Sequence, residues 1–154
     1  MFSLDMIMTT DLVTVHPTDS FGKARELMRS HRIRHLPVVD EAGRLVGLLT
    51  QTDVFAATDS FLRDKEDRMP VRVFPVEDVM ITEVATVEAS ASLRQAALFI
   101  EKNRIGCLPV TREGKLVGII TDSDFVGVAI NLLEQLEEAE ADTPESGDLE
   151  DESL

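Results

Sequence analysis

The 154-residue chain holds one cysteine, Cys107, which excludes an intramolecular disulfide and a cysteine-based zinc site. Its apolar runs are short, with Leu45 to Leu49 typical of the longest, far below the ~20 residues that a membrane helix requires. No charged-then-apolar leader opens the sequence, so a reducing cytoplasm is the expected compartment and a membrane is not an expected partner. Also missing are a catalytic triad, a P-loop and a dinucleotide fingerprint. Gly43 and Gly47, like Gly114 and Gly118, suit hairpin turns and close strand packing rather than a phosphate-cradling loop. Basic residues are scarce beside acidic ones, 15 against 29, for a formal charge of −14, which disfavours nucleic acid as a partner. The excess is concentrated: from Leu133 to Leu154 there are ten acidic residues and no basic ones, leaving the preceding body nearly balanced. Hydrophobic residues, at 44%, suffice for a core.

What the chain does contain is a repeat. Shifted by 72 positions, residues 8–38 align with 80–110 without a gap, sharing Met8/Met80, Thr14-Val15/Thr86-Val87, Ser20/Ser92, Ala24/Ala96, Arg32-Ile33/Arg104-Ile105 and Leu36-Pro37-Val38/Leu108-Pro109-Val110. After one deletion, GRLVGLLTQTD at 43–53 aligns with GKLVGIITDSD at 114–124. In each copy a serine, Ser20 or Ser92, is placed to cap a helix whose apolar face carries Phe21, Ala24, Leu27 and Met28 or Leu93, Ala96, Ala97 and Ile100. Short β-rich runs follow at His35 to Val39 and Cys107 to Thr111, then a turn, then Leu45 to Leu49 and Leu116 to Ile120. A leading strand at Leu12 to Val15 or Val84 to Val87 and a closing helix from Thr50 or Thr121 complete a β-α-β-β-α unit. The spacing predicts unit 1 over 1–56, a charged, proline-bearing linker over 57–75 and unit 2 over 76–132. Beyond these lies 133–154, a helix extension and acidic tail too polar to order itself.

The sequence patterns h-M-x-x-x-h-x-T-V, R-I-x-x-L-P-V and G-[KR]-L-V-G-[LI]-[LI]-T-x-[ST]-D, each present twice and in order, resemble a tandem of cystathionine-β-synthase (CBS) domains, the paired Bateman module. Among its members, stand-alone bacterial CBS pairs and the CBS half of acetoin-utilisation proteins are ones that this sequence resembles. The resemblance implies an α/β (α+β) fold with two units packed about a pseudo-two-fold axis. It also implies a non-catalytic regulatory role, with no required cofactor and with AMP, ADP, ATP or S-adenosylmethionine as a regulatory ligand, signalling to an unidentified regulated protein. By the same resemblance Thr50 and Thr121 are phosphate-side hydroxyls and Asp53 and Asp124 ribose-binding carboxylates. Thr14, Thr86 and the stretches around Pro37 and Pro109 meet the base. Arg34-His35 in unit 1 and Gly106-Cys107 in unit 2 occupy the position that reaches phosphate.

Physical chemistry gives these residues a competing role. Thr-x-x-Asp is close to a capping box, and Arg34 can simply solvate a strand end. Because Arg and His offer phosphate donors that Gly and Cys lack, the two clefts should differ. His31 and His35 have helical metal-pair spacing, but the repeat puts one at a helix end and the other in a strand, so no metal site is expected. Cys107 reads as a small apolar residue rather than a nucleophile. The last helix carries Phe125, Ala129, Leu132, Leu133 and Leu136 at helical spacing. Its first-copy equivalent is expected to stop at Thr58-Asp59-Ser60, and the last helix itself is expected to fray past Glu138. Its uncovered stripe predicts a homodimer, and an alternative role for the chain is a structural dimerisation module that binds no ligand.

Overall fold

The computed structural model describes residues 2–63 and 73–142. Each repeat builds one helix, one hairpin and a closing helix. The first has α1 (Phe21–Ser30), β1 (His35–Val39), β2 (Leu45–Thr50) and α2 (Gln51–Arg63). The second has β3 (Val87–Glu88), α3 (Leu93–Asn103), β4 (Cys107–Arg112), β5 (Lys115–Thr121) and α4 (Asp122–Asp142). Both serines cap as their position suggests. Ser20 Oγ accepts from the Lys23 N–H, and Ser92 closes a full capping box with Gln95. The hairpins repeat in detail, each with a register slip at the same place, between Val38 and Val39 and between Val110 and Thr111. Their turns contain Gly43 at φ +83° and Gly114 at φ +80°, with open space around both; backbone conformation, not room, requires glycine there.

The leading strand is shorter than its pattern. In the second copy it is β3, parallel to β4. In the first it shrinks to a single parallel bridge between Val15 and Val38, held by Val15 N–H to the Pro37 carbonyl at 3.1 Å and Val39 N–H to the Val15 carbonyl at 2.9 Å.

The segments preceding these strands cross over. Leu4 is fully buried in the second unit's core with Ala96, Leu108 and Ile120, and Val76 is fully buried in the first unit's core with Phe21, Leu36 and Leu49. Thr9 exchanges two backbone hydrogen bonds with Ile119 of β5, at 2.9 and 3.0 Å, and Ile81 does the same with Leu48 of β2, at 2.8 and 2.9 Å. At the crossing Met8 lies over Gly118 and Met80 over Gly47, so closely that a Cβ on either glycine would collide with the thioether. The two hairpins also touch at their tips, Leu45 N–H to the Gly114 carbonyl and Leu116 N–H to the Gly43 carbonyl. Every inter-unit contact named here has its counterpart 71 or 72 positions away, which is the signature of a pseudo-two-fold arrangement of two like units in one module.

Two expectations about helix length are corrected. α2 does not stop at Thr58-Asp59-Ser60 but runs to Arg63; the Thr58 hydroxyl donates to the Val54 carbonyl at 2.8 Å, a bond made within the continuing helix. Likewise α4 continues past Glu138 to Asp142. The stretch read as a linker, 57–75, therefore begins as helix. Near its end the Phe74 carbonyl accepts from the Phe21 N–H at 2.7 Å, while 64–72 and the acidic tail 143–154 lie outside the described residues. Among the described residues, no helix is long and apolar enough to cross a membrane.

Candidate functional site

In both copies a strand ends on a threonine and a helix begins on the next residue. Thr50 Oγ1 accepts from the Asp53 N–H at 3.1 Å and donates to Asp53 Oδ2 at 2.6 Å. In the second copy, Thr121 donates to Asp124 Oδ2 from its backbone N–H at 2.8 Å and from its hydroxyl at 3.2 Å. Each Thr-x-x-Asp thus closes on itself, the two copies displaying opposite halves of a capping box. The helix starts also hold the stretch before the preceding strand. Gln51 N–H donates to the Arg34 carbonyl at 2.9 Å, and Asp122 N–H to the Gly106 carbonyl at 3.2 Å. These bonds seat Arg34 beside Thr50 and Gly106 beside Thr121.

A cavity of about 700 Å³ opens where the two helix starts face each other. The first copy contributes Thr9, residues 11–13, 32–35 and 50–52; the second contributes Gly106, Ile119 and residues 121–123. Five sequence-predicted residues meet there: Arg34, His35, Thr50, Gly106 and Thr121. The others stand back from it. Asp53 and Asp124 are half-buried behind their threonines. Pro37 and Pro109 are fully buried in their strands, and the Pro37 carbonyl is taken by Val15. Thr14 is half-buried, Thr86 exposed, and neither side chain lines the cavity.

Sequence reasoning missed Asp11, Arg32 and Asp122 as lining residues. Arg32 did carry a signal. It and Arg104 are identical across the repeat and both hold left-handed backbone, φ 54° and 52°, where glycine is usual. Asp11 and Asp122 lie at positions where the motif tolerates change, and nothing in the pattern singled them out.

Electrostatics separate the titratable groups. Burial pushes the His35 imidazole below its ordinary 6.5, and the Arg34 guanidinium lowers it further, against the opposing pull of the Asp122 carboxylate. His35 is therefore neutral at neutral pH. Burial, reinforced by Asp122 and Asp124, pushes the Cys107 thiol up to about 12, so at neutral pH it carries its proton and is a poor nucleophile. His31 turns away from the cavity, its Nδ1 3.3 Å from the Leu27 carbonyl, and shares no cluster with His35. Among the described residues no group of three or more metal-ligating side chains comes together.

Comparison with known proteins gives these features a family. The model of the CBS domain matches residues 4–60 and again 76–131. A CBS domain-containing protein of Dictyostelium discoideum is 33% identical over 132 residues, covering 83% of this chain and 91% of that protein. An uncharacterized protein of Methanocaldococcus jannaschii is 34% identical over 126 residues, covering 78% of this chain, but the match spans only 30% of that longer protein. Among solved structures, a putative acetoin utilization protein from Vibrio cholerae superposes with a TM-score of 0.76 at 40% identity, covering 90% of this chain and 97% of that one. CBSX2 in complex with AMP gives 0.74 at 27% identity, covering 86% and 99%. The CBS domain pair of protein MJ0100, with 5'-methylthioadenosine and S-adenosyl-L-methionine, gives 0.69 at 26%, covering 84% and 97%. With two matched copies spanning most of the sequence and the crossed architecture described above, the chain belongs to the CBS domain family, as a tandem pair.

Proposed function

We propose that the chain is a non-catalytic regulatory module that binds an adenosyl ligand in the cavity between its two CBS units and passes its occupancy to a partner protein. The observation that carries this reading is the cavity itself. It is built from both copies, it receives both strand-to-helix turns, and Arg34, Thr50, Gly106 and Thr121 all line it. A helix start favours an anion through its dipole, and Arg34 adds a planar donor fork. Family members with AMP or with S-adenosyl-L-methionine bound support the ligand class. Because ligand in this cavity touches both units, occupancy stabilises their relative placement, and that is what a partner would sense.

In this reading Asp53 and Asp124 turn from their threonines to accept from the ribose hydroxyls. Asp53→Ala and Asp124→Ala are each expected to weaken nucleotide binding by about 1.5–3 kcal/mol, the usual worth of a charge-assisted hydrogen bond, with the fold retained. Calorimetry on both variants checks this; unchanged affinity in both would leave the carboxylates with capping alone. The self-closed Thr-x-x-Asp rings are the specific observation that favours the alternative, a dimerisation module without ligand.

Dimerisation belongs to either reading. No residue of α4 is buried, and Leu132, Leu133 and Leu136 are 49%, 56% and 63% exposed. Phe125, near the helix start, packs on the unit's own core. A two-fold mate covering this stripe accounts for leucines that stay exposed beyond the helix start. Light scattering should therefore show a dimer, and changing all three leucines to serine should give a monomer. A monomeric parent would remove the dimer from the account.

A further inference from the structure

The two helix starts that face the cavity are not equivalent, and the difference lies in one residue. At the first position of α2 stands Gln51; at the matching position of α4 stands Asp122. The Asp122 carboxylate is held in place. Its Oδ1 accepts from the Ser123 N–H at 2.9 Å, so it occupies the site at the start of α4 where an outside anion would sit. Its Oδ2 turns toward Gly106: a Cβ added there would lie 3.7 Å from Oδ2 and 3.9 Å from His35 Nε2. The missing side chain at 106 thus leaves Asp122 and His35 facing one another across the gap. Around the cavity the guanidiniums of Arg32 and Arg34 are matched by the carboxylates of Asp11 and Asp122, with His35 neutral. A triphosphate chain entering this lining brings several charges for which no surplus of cations is waiting, and one fixed carboxylate repels it.

Resting on the ligand reading above, we infer that Asp122 sets the charge the cavity accepts. It admits adenosyl ligands of low net negative charge, a nucleoside monophosphate or a sulfonium-bearing adenosyl compound, and discriminates against nucleoside triphosphates. Specificity here arises from a repulsive element as much as from attractive ones. Arg34 attracts the first phosphate, and Asp122 limits how many more can follow.

The test is calorimetry on the full chain with AMP, ATP and S-adenosylmethionine in metal-free buffer, for the parent, Asp122→Asn and Gln51→Asp. The parent should bind AMP more tightly than ATP. Asp122→Asn retains an oxygen to accept from Ser123 and should raise ATP affinity about tenfold, the scale of one charge acting through a partly solvated groove, and raise AMP affinity less. It should leave S-adenosylmethionine binding unchanged or weaker, because a cation loses an attractive neighbour. Gln51→Asp, which adds a carboxylate at the matching position, should weaken ATP further. Circular dichroism confirms that each variant folds. A parent that binds AMP and ATP equally, or an Asp122→Asn variant that shifts ATP and S-adenosylmethionine in the same direction, overturns the inference and leaves the adenosyl-binding role standing. A parent that binds none of the three overturns both.

Discussion

Replacing Leu4 by alanine should destabilise the protein by about 2–5 kcal/mol, the range for truncating a buried leucine, although Leu4 lies four residues from the start of the sequence. The side chain is 0% exposed and belongs to the core of the second unit, with Leu108, Val110 and Ile120. Truncation leaves a cavity among residues held by β4 and β5, which have little freedom to collapse into it. For a chain of this length the loss corresponds to roughly 2–4 °C of melting temperature per kcal/mol. Amide exchange should report the loss first in the second unit, in β4 and β5, because that is the core that is opened. A cost below 1 kcal/mol, or a loss confined to the first unit, would contradict the crossing of the leading segments.

The second large effect is expected at the crossing itself. Gly118→Ala puts a methyl group against the Met8 side chain and 3.2 Å from the Thr9 carbonyl oxygen; Gly47→Ala meets Met80 and lies 3.1 Å from the Ile81 carbonyl oxygen. A methionine side chain can swing aside, since it is the most adaptable of the apolar residues. The carbonyl cannot, because Thr9 and Ile81 are each held to the opposite unit by a pair of backbone hydrogen bonds. Overpacking of this kind typically costs about 1–3 kcal/mol, and here it is levied on the contact between the units. Each variant should lower the melting temperature, and the double variant should also weaken any ligand that bridges the units, since Thr9 and Ile119 line the cavity. Chemical denaturation of the single and double variants checks this. A neutral Gly118→Ala would mean that the Thr9 strand is looser than its hydrogen bonds indicate.

The crossing was the part of the fold that the sequence concealed. The repeat, both serine caps, both hairpins and their turn glycines were legible because each rests on local chemistry: a side-chain oxygen within three residues of the N–H it caps, or a backbone angle that glycine favours. Whether Met8 packs in the first sheet or the second is not local. Met8 and Met80 precede near-identical patterns, so either pairing satisfies the periodicity, and the folded structure distinguishes them by Leu4 in one core with Ile120, Met8 over Gly118 and Thr9 bonded to Ile119. The length of α2 was misjudged for a related reason. Thr58 reads as a helix breaker until its hydroxyl finds the Val54 carbonyl.

For the site, the resemblance offered Thr50, Thr121, Arg34, His35 and Gly106 as ligand residues of two clefts, one per unit, and all five line one cavity between the units. It did not place Asp11 and Asp122 there, because the positions that make the two halves of the cavity unequal are those at which the copies differ. Gln51/Asp122 is of this type, whereas Arg34/Gly106, which also differs, was singled out by its position before Leu-Pro-Val. Part of the asymmetry of the cavity, that at Asp122, is thus carried by a position that a search for likeness passes over.

The central claim is that the cavity between the units is occupied by an adenosyl ligand, and a thermal-shift series on the unmodified full chain tests it most directly. AMP, ADP, ATP and S-adenosylmethionine are each titrated, with guanosine and cytidine monophosphates as controls. A ligand that binds only the native state raises the apparent stability by RT ln(1 + [L]/Kd), about 2.7 kcal/mol at a hundredfold excess over Kd. At least one adenosyl compound is predicted to raise the melting temperature in a saturable, concentration-dependent way while the control nucleotides do not. A melting temperature unmoved by all four adenosyl compounds would contradict the account.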